Sequence, residues 1–201
     1  MILLNDEEIV LSVLNGHTQD YEVLVNRYKD KIYNLAYQFT CNRSDSEDLA
    51  QEIFIHVFSK LSSFKHQSSF STWIHRITIN KCNDWYRKNK NRVKQISLED
   101  NPLSPNKHET KDHTYNPEQR LLKMERQRLV SAMVMELPEK YRTAIIMYHY
   151  QQLSAKEIAH ILNIPKKTVD TRIYRGKKLL KRKLVDNNRQ EEGVYAFGKM
   201  D

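Results

Sequence analysis

Glycine is scarce in this chain, with only 4 in 201 residues. Few segments alternate apolar and polar residues in the manner of strands, so the chain reads as almost wholly helical. No long apolar run is present, so neither a signal peptide nor a transmembrane helix is expected; the chain is placed in the cytoplasm with no direct membrane insertion. Cys41 and Cys82 lie far apart and form no metal-ligand spacing, which makes reduced thiols the simplest reading. Also missing are a plausible pair of carboxylates, a phosphate-binding Gly loop and a Cys/His cage. Their absence speaks against an enzyme, a metal site or a cofactor.

What the chain does have is positive charge, in two places. The formal net charge is +8 and the pI about 9.3, which suggests an anionic partner, with nucleic acid the natural candidate. Between Pro165 and Val185, nine Lys or Arg stand against the single acid Asp170, a surplus of +8 in that segment alone. Between Arg76 and Lys94, seven bases stand against Asp84, giving +6, so the remainder of the chain carries −6.

Helical punctuation divides the chain into two blocks. The first occupies residues 1–94. Asn5 or Asp6 can cap a short helix that ends at Asn15-Gly16. A longer helix follows Gln19-Asp20, with Tyr21, Leu24, Tyr28, Ile32, Leu35 and Phe39 at helical spacing. Cys41-Asn42-Arg43 breaks it, and Ser44 with Glu47 reads as a capping box for a third helix through about Leu61. The polar loop SSFKHQSSF leads into a fourth helix from about Ser71 to Lys90. Residues 95–117, with scattered proline and almost no apolar side chains, read as a flexible linker. A second helical block spans 118–185, and 186–201 reads as a disordered tail.

The second block contains LSAKEIAHILNIPKKTVDTRIYRGKKLL, from Leu153 to Leu180. Ser154 and Glu157 form a capping box, and Ile158, Ala159 and Leu162 give a short apolar stripe. Asn163 suits a tight turn and Pro165 the first turn of a following helix. Val169 and Ile173 would bury one side of that helix, with Leu180 continuing it. Such a helix-turn-helix places its second helix in a DNA major groove; the competing reading is a solvated basic helix in an ordinary hairpin.

Two further patterns belong to the first block. In DLAQEIFIHVFSKL, Leu49, Ile53, Val57 and Leu61 recur every four residues as a core stripe. Phe54 and Phe58 form a second stripe beside Gln51 and Glu52, which either buries on another side or meets an apolar partner. On the fourth helix, Arg76, Asn80, Asn83 and Arg87 step by four, three and four along one face. Phe64, Phe70 and Trp73 sit next to that basic polar face. Aromatics beside cations are what single-stranded nucleic acid needs, although Phe70 and Trp73 could equally close the core.

The motifs DLAQEIF, FSTWIHRITINKCNDWYRK, LPEKYRTAI and the helix-turn-helix follow one another in an order that resembles the extracytoplasmic-function sigma factors of bacterial RNA polymerase. The resemblance covers about residues 20–90 and 118–184. It implies an all-α fold of two small helical domains, a four-helix sigma region 2 and a helix-turn-helix sigma region 4, joined by the linker. It implies that Asp48, Gln51, Glu52, Phe54 and Phe58 grip the β′ clamp helices of core polymerase, with the β flap as a further contact. The loop Ser62–Ser69 with Phe64 would capture a base flipped from the −10 non-template strand. Trp73, Arg76, Asn80, Asn83 and Arg87 would lie on the −10-reading helix. Lys167, Thr168, Asp170, Thr171, Arg172, Tyr174, Arg175 and Lys178 would read or anchor the −35 duplex. An anti-sigma factor, membrane-anchored or soluble, is the further partner implied, in a stress response.

The chain departs from the family pattern twice. Asp170 stands where the family often has Arg or Lys; it either complements the helix dipole or accepts from a cytosine amine. Lys65-His66 follow the loop aromatic where family members commonly carry a glycine. The rival function is a conventional helix-turn-helix regulator that binds duplex DNA without polymerase.

Overall fold

A computed structural model describes residues 4–98 and 117–197, with side chains described for 4–93 and 126–187. Among the described residues there are eight α-helices and no strand: α1 (Asp6–Leu14), α2 (Tyr21–Thr40), α3 (Arg43–Lys60), α4 (Phe70–Leu98), α5 (Pro117–Met135), α6 (Glu139–Ile145), α7 (Ala155–Leu162) and α8 (Lys166–Phe197). Short 3₁₀ turns precede α2 and follow α3, and a π turn at Ile146–Tyr150 extends α6.

Local chemistry accounts for most boundaries. Asn5 caps α1 in a full capping box with Glu8, its Oδ1 accepting from the Glu8 N–H at 2.8 Å. α2 ends at Cys41, which takes a left-handed conformation at φ 53°. That reversal leaves Asn42 extended, and its side chain accepts from the Asp45 N–H at 3.1 Å. Asn42 therefore caps α3, and the Ser44/Glu47 pair expected to do so already lies inside the helix.

Two expected boundaries move. α4 continues past Lys90 to Leu98, taking in residues assigned to the linker; the central segment 99–116 of that expected linker lies outside the described residues. The expected disordered tail from 186 instead continues α8 as far as Phe197. No proline interrupts this stretch, and Arg189-Gln190-Glu191-Glu192 are good helix formers.

Helices α2, α3 and α4 pack around Leu24, Ile32, Leu35, Phe39, Leu49, Ile53, Val57, Phe70 and Ile74. In the second block, Ile145, Ile158, Ile161 and Val169 are buried where α6, α7 and α8 meet. Ile161, absent from the expected apolar stripe of α7, is one of its buried residues. The loose end of α5 is closed by Arg142, whose guanidinium donates to the carbonyls of Met135 and Leu137 at 3.3 Å each.

Helices α6 and α8 cross at Gly176, where a Cβ would stand 2.8 Å from Cγ1 of Ile145 and 3.6 Å from Cβ of Tyr141. The glycine thus weakens α8 by about 1 kcal/mol relative to alanine, and in return lets the two backbones approach. A Gly176→Val substitution should cost about 1–3 kcal/mol through overpacking. Thermal unfolding followed by circular dichroism would reveal this as a lowered midpoint, and an unchanged midpoint would contradict the close crossing.

Candidate nucleic-acid interface

The helix-turn-helix is built as its sequence requires. Ser154 Oγ accepts from the Glu157 N–H at 3.3 Å, and Glu157 Oε2 accepts from the Ser154 N–H at 2.8 Å. The Ser154 hydroxyl also donates to Glu157 Oε2 at 2.6 Å, and this bond, with that from the Ser154 N–H, lowers the pKa of the Glu157 carboxyl. Asn163 takes the left-handed conformation (φ 53°, ψ 49°), and the Pro165 carbonyl accepts from Thr168 and Val169 to start α8. Val169 and Ile173 are buried, so the opposite side of α8 is turned outward.

Lys167, Thr171, Tyr174 and Lys178 are all exposed and follow at steps of four, three and four, forming one continuous row. Tyr174 is 68% exposed, which leaves most of its ring available to a partner. Thr168 and Arg172 are half-buried at the edge of this row. Asp170 is paired along the helix with Lys166 at 3.0 Å, an exposed contact worth a few tenths of a kcal/mol. Arg175 is exposed and hydrogen-bonds the Tyr141 hydroxyl, lowering the Tyr141 pKa.

On α3, Asp48, Gln51, Glu52 and Phe58 are exposed and Phe54 is half-buried, while Leu49, Ile53 and Val57 are in the core. Phe58 is 43% exposed and meets Tyr21 edge to face at 5.0 Å; the Tyr21 hydroxyl donates to the Phe54 carbonyl at 2.8 Å. Sequence reasoning passed over Ile55, which is 63% exposed. The spacing 48, 51/52, 55, 58 would have found it, because these positions share one helical face. Acids and exposed apolar groups together form a surface suited to a protein partner with cationic and apolar groups.

The aromatic group before α4 differs from the expectation. Phe64 is only 5% exposed, packed against Phe70 at 5.6 Å and Trp73 at 5.4 Å. It is a core ring and not a free loop aromatic, because the loop folds back over the N-terminal end of α4. The exposed ring of the loop is His66, at φ 56°, with its centroid 4.5 Å from that of Phe64. The left-handed φ explains why a glycine suits this position.

On α4 itself, Asn80 is exposed and Trp73 half-buried. Arg76 donates to the carbonyls of Ile161 and His160, each at 2.8 Å. Asn83 is buried and accepts from the Thr143 hydroxyl at 3.2 Å; exposed Arg87 pairs with Asp84 and reaches Glu139 at 3.5 Å. Three of the expected −10 residues therefore touch the second block. That arrangement joins residues 52 to 85 positions apart, and no local pattern in the sequence announces it.

His75, on the same helix, is buried against Tyr28 with its Nδ1 2.7 Å from the Ser71 carbonyl, and burial lowers its pKa. The unfolded state then binds the proton more readily. The stabilisation from neutral His75 is present above its ordinary value of 6.5 and lost as pH falls below it. The thermal midpoint should decline on acidification through that range, and His75→Gln should flatten the profile; an equally steep profile in the variant would exclude His75 as a source.

Both cysteines are buried with their thiol pKa values raised by burial, Cys41 to about 11, so neither is a reactive thiolate. Among the described residues no group of three or more His, Cys, Asp or Glu could hold a metal ion. No described helix is long and apolar enough to cross a membrane.

Two helical blocks, each with a strongly basic helix, define a bipartite helical protein with the charge of a nucleic-acid binder, and α3 adds an exposed acidic–apolar face. Comparison with known proteins narrows this class. Residues 24–92 match the family model for Sigma-70 region 2, and residues 127–180 match that for Sigma-70, region 4. The chain is 36% identical over 186 residues to the ECF RNA polymerase sigma factor SigW of Bacillus subtilis, covering 88% of this chain and 95% of that protein. It is 30% identical over 181 residues to the RNA polymerase sigma-H factor of Pseudomonas aeruginosa, covering 89% and 93%. The fold is shared with CnrH in its complex with the cytosolic domain of CnrY (TM-score 0.61, 21% identity, 89% of this chain and 96% of that one). It is also shared with RpoE of Bartonella quintana in complex with the anti-sigma factor NepR (TM-score 0.55, 20% identity, 83% and 97%).

The chain belongs to the ECF sigma factors of RNA polymerase. It is an alternative sigma factor, one of a family of transcription initiation factors that are not enzymes.

Proposed function

We propose that this chain docks on core polymerase through Asp48, Gln51, Glu52, Phe54 and Phe58 of α3, and places its two basic helices on promoter DNA. α8 enters the −35 major groove with Lys167, Thr171, Tyr174 and Lys178 in its leading row, flanked by Thr168, Arg172 and Arg175. Its cations supply phosphate attraction, which sets register without reading sequence, and one or two side chains supply base-edge discrimination of about 1–3 kcal/mol each. Asp170, held by Lys166, screens its neighbours and contributes little to reading.

At the −10 element, Trp73, Arg76, Asn80, Asn83 and Arg87 face the separated non-template strand. Buried Phe64 forms the floor of the loop pocket that accepts a flipped base. Holding that base offsets part of the few kcal/mol that unstacking costs, so opening becomes favoured at one site. No step makes or breaks a covalent bond in the chain. Two moderate anchors joined by one chain gain strength through effective concentration. The site of action is the cytoplasm, where the polymerase works, and an anti-sigma factor is the expected regulatory partner, as NepR is for RpoE of Bartonella quintana.

The exposed row on α8 carries this reading: cations and an aromatic ring that none of the described residues covers. A run-off assay with core polymerase tests it. Promoter-specific transcripts should appear only with both components. Tight, specific duplex binding without polymerase, together with no transcript, would instead support a conventional regulator.

A further inference from the structure

The loop between α3 and α4 is pinned at both ends. At one end Phe64 is seated in the core, its N–H donating to the Leu61 carbonyl at 3.1 Å and its ring 5.6 Å from Phe70 and 5.4 Å from Trp73. At the other, Ser69 caps α4: its Oγ accepts from the Thr72 N–H at 3.2 Å, and its carbonyl from the Trp73 N–H at 3.1 Å. Lys65, His66, Gln67 and Ser68 are left to join these fixed points. The backbone turns left-handed at His66, with φ 56°, a region that L side chains seldom adopt. His66 is exposed, yet its ring is supported: its centroid lies 4.5 Å from that of Phe64, with the planes at 51°. Phe64 in turn meets Phe70 edge to face. Three rings thus run as a column from the core to the surface, and His66 is its outer end.

We propose that the His66 imidazole is the surface on which the unpaired −10 base stacks, with Phe64 a positioning residue beneath it. The inference deepens the base-trapping reading above and rests on it. A base drawn out of the duplex leaves its stacking neighbours behind and is held where another π-face replaces them. Between Ser62 and Ser69 the rings are those of Phe64 and His66. Phe64, 5% exposed, has no free face to offer. Trp73 is half-buried and tilted against both Phe64 and Phe70. His66 combines a ring, a rigid support and exposure. A neutral imidazole also carries one donor and one acceptor nitrogen, so its edge can bond a base or a phosphate oxygen while its face stacks. Exposed Lys65 beside it supplies a cation for the strand's backbone. The left-handed turn fits the same role. Glycine or asparagine takes that conformation readily, but neither has a ring to present. At His66 an uncommon backbone conformation and an outward ring coincide, as they do where a loop is shaped for a ligand.

The test uses the full chain assembled with core polymerase and a labelled single-stranded −10 oligonucleotide, its sequence taken from the chain's mapped transcript starts. His66→Asn and His66→Gly remove the ring and suit the left-handed turn, so the thermal midpoint of the free chain should hold or rise. Affinity for the oligonucleotide, read by fluorescence anisotropy, should nevertheless fall about tenfold in both, the loss expected for one stacked base. His66→Tyr keeps a ring and should stay within about threefold of wild type. The oligonucleotide is then made abasic at each −10 position in turn. At one position, removing the base should weaken wild type about tenfold and erase the difference between wild type and His66→Asn. Equal affinity of wild type and His66→Asn, or a difference that survives removal of every base, would overturn the role of His66. So would a His66→Tyr protein as weak as His66→Asn. A wild-type holoenzyme indifferent to base removal at all positions would instead overturn the base-trapping reading on which the inference rests.

Discussion

The Ile55→Asp, Phe58→Asp double variant should bind core RNA polymerase about 10²–10³-fold more weakly than the wild-type chain. Both side chains are exposed on α3, and full burial of such groups against a partner is worth about 1.5–3 kcal/mol each. Replacing them with carboxylates removes that gain and adds the cost of desolvating two charges beside Asp48 and Glu52. A net loss of about 3–4 kcal/mol corresponds to the stated range. Folding should suffer little, since the chief intramolecular loss is the Phe58–Tyr21 edge contact, worth about 0.5–1.5 kcal/mol. Native gel titration of labelled sigma with core measures the effect, and −35 duplex binding serves as the control. Association within threefold of wild type would remove α3 as the docking surface.

Neutralising Lys167, Arg172 and Lys178 together should weaken −35 duplex binding about 10²-fold at 0.15 M salt. Each phosphate contact adds about 0.9 to the slope of log affinity against log salt, or roughly fivefold at that concentration. The triple Lys/Arg→Gln variant should therefore show a slope reduced by about 2.7 units. Anisotropy titrations from 50 to 300 mM salt give both quantities, and an unaltered slope would mean that these cations meet no phosphate. The −10 oligonucleotide should be indifferent to the change, because all three residues lie on α8.

The sequence was most legible where the physics is local. The Ser154–Glu157 box, the left-handed Asn163 and the core stripe of α3 each rest on neighbours about one helical turn apart, and each stands as read. It was least legible where a local pattern has two solutions. Ser44 and Glu47 have capping-box spacing, but the left-handed Cys41 starts the helix earlier and gives the cap to Asn42. Phe64 has the composition of a stacking surface, yet a loop that returns to its own helix buries it against Phe70 and Trp73. Contacts between the blocks, such as Tyr86 with Arg142 and Asn83 with Thr143, depend on three-dimensional approach and leave no periodic trace. Gly176 belongs to the same class: its meaning appears only once Ile145 is placed 2.8 Å from the missing Cβ.

The length of α4 bears on promoter architecture. As one unbroken helix from Phe70 to Leu98, 29 residues long, it carries the chain about 42 Å from the aromatic cluster before the path to the second block begins. From Leu98 to Pro117 there are 19 peptide steps, which span no more than about 65 Å however they are drawn out. Rod and tether together set a maximum stride between the two DNA anchors. Lengthening the spacer between −35 and −10 adds 3.4 Å per base pair and also turns one element around the duplex relative to the other. With the two blocks holding the −10 and −35 elements as proposed, promoter spacing is bounded above by a mechanical limit written into the backbone, separate from any preference for particular bases.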